Sequence, residues 1–289
     1  MKPFATLIAA ALSCVSLFGS AAAAQTQSLP MPSNILYAKD TPVVAMAEWE
    51  VVQKGAAEQT GARVLIAAGE AELAKAPKDA VRYTSQTFTT PTGTARVLKF
   101  TKAGGGVLHQ ITTETILVMV KGTAEVGVQG VSTKIEAGDV VNLPSGILRG
   151  VKGKAEDATV LLYTVGHSAP SKSVVVRGKD TKAAVIAGGE KAGVGGASVA
   201  VQRYNFEGNS VRVAHLSGRG TTAPAVPKED VLIYLISGRM EITVGDETKV
   251  VSAGDVLREE AHKSTHWNVL EDSSFVATNA PMPRASAAP

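Results

Sequence analysis

Ala137-Gly138-Asp139-Val140 returns later in the chain as Ala253-Gly254-Asp255-Val256, and the residues around both copies keep step. Arg96-Val97 matches Arg212-Val213, Gly104 matches Gly220, and Gly122 matches Gly238, all at one constant offset (96 to 212, 138 to 254). Upstream the match continues with slips. Leu65-Ile66-Ala67-Ala68-Gly69-Glu70 resembles Val185-Ile186-Ala187-Gly188-Gly189-Glu190, and Arg82-Tyr83 resembles Arg203-Tyr204. Such a period is too long for a solenoid or a propeller blade, so it describes two copies of a whole domain.

Each copy reads as β. Segments 115–120, 124–128, 231–236 and 240–244 are short, apolar and β-branched, and Gly122, Gly138, Gly238 and Gly254 punctuate them. Short strands at regular spacing indicate a sandwich or small barrel. The chain has 289 residues, enough for about two domains at roughly 100–200 residues each. With 45% hydrophobic and 19% charged residues it is too apolar for a disordered chain. The net charge is +3 and no Lys/Arg cluster interleaves with aromatics, which argues against a nucleic-acid partner. Past the leader, no segment approaches the ~18 apolar residues of a membrane span.

The leader is Lys2, an apolar run over 4–18, and Gly19-Ser20-Ala21-Ala22-Ala23-Ala24. This is the pattern of a secretory signal cleaved after Ala24, which places the mature protein in the periplasm or outside the cell. An uncleaved anchor and a lipid anchor on Cys14 are the alternatives. Cys14 is the only cysteine and leaves with the signal, so the mature chain has no disulfide and no thiolate ligand. The expected organisation is a signal peptide (1–24), an N-terminal barrel domain (25–168), a C-terminal barrel domain (169–279) and a disordered tail (280–289). The domains join over 167–173, around Ala169-Pro170-Ser171, and 58–76 is expected to be helical.

The glycine skeleton, the Gly138-to-Pro144 spacing and Pro144-Ser145-Gly146 resemble the cupin superfamily. The resemblance covers about 80–165 and 200–278. It implies an all-β bicupin: two tandem double-stranded β-helix (jelly-roll) barrels. In this family two His and a Glu from a first motif, with a His from a second, hold Fe, Mn, Zn or Ni inside the barrel. Position by position, His109 matches the first His, Ile111 stands at the second, Thr115 at the Glu with Glu114 one residue early, and Arg149 at the last His. In the second copy Ala225, Pro227, Val231 and Thr265 take these places, with His262 on a motif glycine and His266 one residue late. A fixed cation repels a metal, so no cofactor is expected, and a divalent metal remains the alternative.

His109 and Arg149 are candidate donors to a small polar or acidic ligand. Glu114 is a candidate acceptor or the acid partner of either, and Ile111 a candidate lining residue. His262 and His266, four apart, would share one face of a strand, with Trp267 beside them lining a pocket or simply packing. His215 is the further candidate for a metal in the second copy, although its repeat mate Lys99 suggests the wet side. Three functions follow: an exported bicupin that binds a small polar or acidic molecule in its N-terminal barrel without the usual metal; a metal-dependent cupin oxygenase, isomerase or lyase acting on a small organic acid, phenol or sugar; and a structural protein whose sheets form a homodimer.

Overall fold

The computed structural model describes residues 34–52, 61–67, 70–78, 80–101, 109–110, 113–128, 130–146, 148–154, 157–165, 173–187, 197–206, 209–244 and 246–279. All of them fall in one unit, Asn34–Pro289. The signal-peptide residues, the linker residues 167–172 and the tail lie outside the described residues.

The fold is all-β, built as two tandem jelly-roll barrels. The repeated Gly-Asp pair makes the same corner in both. Gly138 and Gly254 stand at φ 90 and 96, a left-handed conformation that only glycine adopts cheaply. The aspartate after each closes the turn: Asp139 Oδ2 accepts the Glu136 amide at 3.0 Å, and Asp255 Oδ2 the Ser252 amide at 2.8 Å.

In the first barrel an eight-stranded sheet holds Val81–Thr90, Gly93–Phe100, Thr115–Lys121, Val140–Leu143 and Thr159–Val165. A four-stranded sheet of His109–Gln110, Leu148–Gly153, Thr123–Val128 and Val131–Glu136 forms the other layer. In the second barrel Val231–Val244 and Thr265–Asn279 stay paired along their lengths. Register shifts between Leu235 and Met240 let them bend, so one nine-stranded sheet forms both layers.

Strand alternation sorts the buried side chains into three cores. Leu98, Phe100, Leu117, Met119 and Val126 fill the first barrel. Ile233, Leu235, Leu257, Trp267 and Val269 fill the second. The opposite faces of the same strands meet between the barrels, where Val97, Ile116, Val118 and Tyr163 pack with Tyr204, Val213, Leu232 and Tyr234. Two tyrosine hydroxyls cross this seam: Tyr163 donates to the Val276 carbonyl at 3.0 Å, and Tyr204 to the Gly138 carbonyl at 2.8 Å. Burying the rings while meeting their polar ends fixes how the barrels abut.

The barrels also exchange short arms. Strand Ile35–Leu36 precedes the first repeat but pairs with Val256–Glu259 of the second barrel. Strand Val174–Val176 precedes the second repeat but pairs with Val140–Leu143 of the first. Each arm continues into a single 3-10 turn, Ala38–Asp40 or Gly178–Asp180. The Gly-Asp corners hold these turns: Asp255 Oδ1 accepts the Ala38 amide at 2.7 Å, and Asp139 Oδ1 the Gly178 amide at 2.9 Å. Gln86 Nε2 donates to the carbonyls of Ala38 and Thr41, and Gln202 Nε2 to those of Gly178 and Thr181. One position needs glycine for space, because a Cβ on Gly178 would lie 2.7 Å from the Gly138 carbonyl.

The ladders correct three readings of the sequence: Tyr204 pairs Val211 as Phe88 pairs Ala95, so the structural mate of Tyr204 is Phe88 rather than Tyr83. Val185 pairs Ala200 as Ala45 pairs Thr84, so the structural mate of Val185 is Ala45 rather than Leu65. Leu65 belongs to an additional strand, Gly61–Ala67, paired with Val43–Val52. That strand lies within the segment expected to be helical, and the described helix there is Glu70–Lys75.

Candidate functional site

Strand register identifies the equivalent site positions in the two barrels. Arg149 pairs with His109 on one side and Val128 on the other. Thr265 bridges Ala225 on one side and pairs with Val244 on the other. The two donors singled out in the first repeat are therefore direct cross-strand neighbours, and Ala225 and Thr265 stand in the same relation in the second. Ile111 lies outside the described residues.

Glu114 is fully buried. It immediately precedes Thr115–Lys121, in which Leu117 and Met119 face the first barrel's core while Ile116 and Val118 face the seam. Alternation puts Thr115 on the barrel side and Glu114 on the seam side. Its repeat mate supports this. Asp230 precedes Val231–Val244 and bonds Arg258, which alternates with the inward-facing Leu257.

His262 and His266 are not on one strand. His262 has φ 64 and is exposed, in the turn where the first repeat has Gly146 at φ 78. Its amide donates to the Pro227 carbonyl at 2.8 Å. The left-handed turn separates it from Thr265–Asn279, where Trp267 faces the core and His266 alternates to the other face. His215 is exposed.

Inside the second barrel Trp267 stacks on Phe275 with centroids 4.8 Å apart. Its Nε1 donates to Glu259 Oε1 at 2.9 Å. Burial pushes the Glu259 carboxyl above the ordinary carboxylate range, while the Trp267 bond and the nearby Arg212 guanidinium pull it back. Arg212 alternates with Val211 and Val213, which face the seam, and so points to the interior side with Ala214 and Leu216. Burial lowers its pKa, opposed by Glu259. Among the described residues its Nε has no hydrogen-bond partner, and neither has the fully buried Thr265 Oγ1. One terminal nitrogen donates to Asn279 Oδ1 at 3.3 Å. Arg212, Pro227, Lys228, Glu229, Val231 and Asn279 line an open pocket of about 360 Å³. Pro227 and Val231 stand at two of the four ligand positions that the resemblance gives, and Arg212 lines the pocket beside them.

The first barrel has the same arginine. Arg96 alternates with Ala95 and Val97, which face the seam, and shares the interior side with Leu98 and Phe100. Its Nε donates to Ser85 Oγ at 2.7 Å. The sequence signal for both was present in Arg96-Val97 and Arg212-Val213, a charge repeated between apolar residues of a strand. Glu259 carried no such mark, since its mate in the first barrel is Leu143.

No protein-family model matches the chain, and no curated protein matches it significantly. Solved structures do. A point mutant of oxalate decarboxylase from Bacillus subtilis aligns at a TM-score of 0.60 and 14% identity, covering 88% of this chain and 78% of that one. The chain has the cupin fold, twice over. A protein from E. coli, Ylba, aligns at 0.52 and 15% identity over 68% of this chain and 82% of its own. The putative glyoxylate-induced protein of Pseudomonas aeruginosa aligns at 0.57 and 14%, over 72% and 83%. Another structure of the Bacillus oxalate decarboxylase concerns its Mn(II) centers.

The ligand positions of these cupin barrels do not match a divalent metal. Ala225, Pro227 and Val231 offer no donor atom, and Thr265 only a hydroxyl. In the first barrel Thr115 stands in place of the carboxylate, and the cationic residue Arg149 is paired in register with His109. Among the described residues no three His, Cys, Asp or Glu side chains group closely enough to hold a metal ion. No described helix is long and apolar enough to cross a membrane.

Proposed function

We propose that this exported bicupin binds a small organic acid in the mouth of its N-terminal barrel, using fixed cations in place of a metal. One observation carries the reading: an arginine recurs on the interior side of the equivalent strand in both barrels, Arg96 and Arg212, and the first barrel has Leu143 where the second sets Glu259 near its arginine. A guanidinium offers a planar fork of donors that matches a carboxylate. The first barrel adds Arg149 and His109 as cross-strand neighbours. Three cationic or donor groups without a metal-ligand set suit an anion with one or two carboxylates. Oxalate, the substrate in the Bacillus neighbours' name, belongs to that class. The second barrel has Thr265 in place of Arg149 and sets Glu259 near Arg212, so it holds an acid more weakly or not at all.

Calorimetric titration of chelator-treated protein with oxalate, malonate, succinate and benzoate tests the proposal. Saturable binding of at least one acid, reduced at least tenfold by Arg149→Ala and by Arg96→Ala with the fold retained, is expected. Binding that appears only after a metal is added would give the catalytic cupin reading the lead. Fractionation of expressing cells tests export: mature protein beginning near Gln25 belongs in the periplasm or the medium.

A further inference from the structure

The seam-side face of the first barrel contains two buried polar side chains whose acceptors are all unmet among the described residues. Glu114 is 0% exposed, and neither of its carboxylate oxygens has a hydrogen-bond partner. Asn142 is 1% exposed, and its Oδ1 has none. Thr115 pairs Leu143 and Ile116 pairs Asn142, so Glu114 and Asn142 are diagonal neighbours on one face.

The second barrel shows what this arrangement requires. Val231 pairs Glu259 and Leu232 pairs Arg258, the same register. There the acid is Asp230, 2% exposed, and the residue diagonal to it is Arg258. Arg258 Nε lies 2.5 Å from Asp230 Oδ2, and the Ala261 amide donates to Oδ1 at 2.8 Å. Acid and cation are both satisfied. In the first barrel the cation is replaced by a shorter neutral amide, and the acid is one methylene longer. A buried carboxylate without a counter-charge is costly, and a buried acceptor without a donor adds to the cost.

We infer that the first barrel binds a small monovalent cation, an alkali ion or ammonium, between Glu114 and Asn142, where the second barrel supplies its own guanidinium. Three acceptors of one net negative charge are the chemistry such an ion needs. A divalent ion needs more negative charge than one carboxylate supplies. Burial of both side chains closes the site to larger amines. The site is distinct from the acid site in the barrel mouth and does not rest on it.

The test is thermal unfolding of the full chain at fixed ionic strength in potassium, sodium, ammonium or choline chloride. The wild-type midpoint should be higher in at least one small cation than in choline, by about 5 °C at saturation. The cation that raises it most identifies the occupant. Asn142→Arg, which installs the second barrel's solution, should unfold at the higher midpoint in every salt. Glu114→Gln should lose the cation dependence, and it carries the test if Asn142→Arg fails to fold. An equal wild-type midpoint in all four salts overturns the proposal, as does a cation dependence that survives Glu114→Gln. Acid binding by calorimetry is read separately, so failure of one proposal is not failure of the other.

Discussion

Where the second barrel buries Arg258 against Asp230, the first buries Asn142 beside Glu114; where the first has Leu143, the second has Glu259 holding Trp267. The corners and arm latches are the same in both, because they depend on backbone geometry that each copy needs. The buried charges differ, because Asp230 with Arg258 and Glu259 with Trp267 are each paired within the second barrel. Duplication has kept the frame and exchanged the charges. In the proposed reading the first barrel gathers cations at its mouth, and the second neutralises one of its own.

The comparison is broken most severely by making the second barrel resemble the first. Arg258→Asn leaves Asp230 buried without its cation and should cost about 3–5 kcal/mol in urea unfolding. A loss under about 1 kcal/mol would mean that the pair is exposed in solution. Glu259→Leu installs the first barrel's residue and strands the Trp267 Nε1–H and Arg212. About 2–3 kcal/mol of destabilisation is expected, with changed Trp fluorescence. Gln86→Ala and Gln202→Ala each remove two bonds to an arm turn and should cost about 1–2 kcal/mol, equally. Unequal losses would show that one arm carries more of the seam. The smallest effect is a slope. Because burial raises the folded pKa of Glu259 above its unfolded value, the folded state holds the proton more tightly. Stability should therefore be greater below the ordinary carboxylate range and fall as pH rises through the interval from that range to the raised value. Glu259→Gln keeps an acceptor for Trp267 and should flatten the decline; an unchanged slope would place its origin elsewhere.

The frame was legible from the sequence because turn chemistry is local. Gly138-Asp139 and Gly254-Asp255 declare a left-handed corner and the acid that closes it within a few residues. The partners of the other aspartate oxygens were not legible, since Asp255 reaches Ala38 and Asp139 reaches Gly178 across the seam. The upstream repeat was misread because β-branched strings resemble one another by composition, whereas pairing with Thr84 and Ala200 makes Ala45 the mate of Val185. At the site, the motif positions His109 and Arg149 are register neighbours. Arg96 and Arg212 served in the sequence only as marks of the repeat, although a charged residue between apolar ones already places a cation on one face. Glu114 and Asn142 are far apart in sequence, and only the structure of the second copy shows what they lack.

In the proposed reading this bicupin holds an organic acid with fixed cations and no metal. Elemental analysis of the purified mature protein, paired with oxalate titration of the same sample and of Arg149→Ala, tests it most directly. Saturable binding at a metal content well below one equivalent, lost in Arg149→Ala, is expected. About one equivalent of Mn, Fe, Zn or Ni, with binding that disappears on chelation and is indifferent to Arg149, would contradict it.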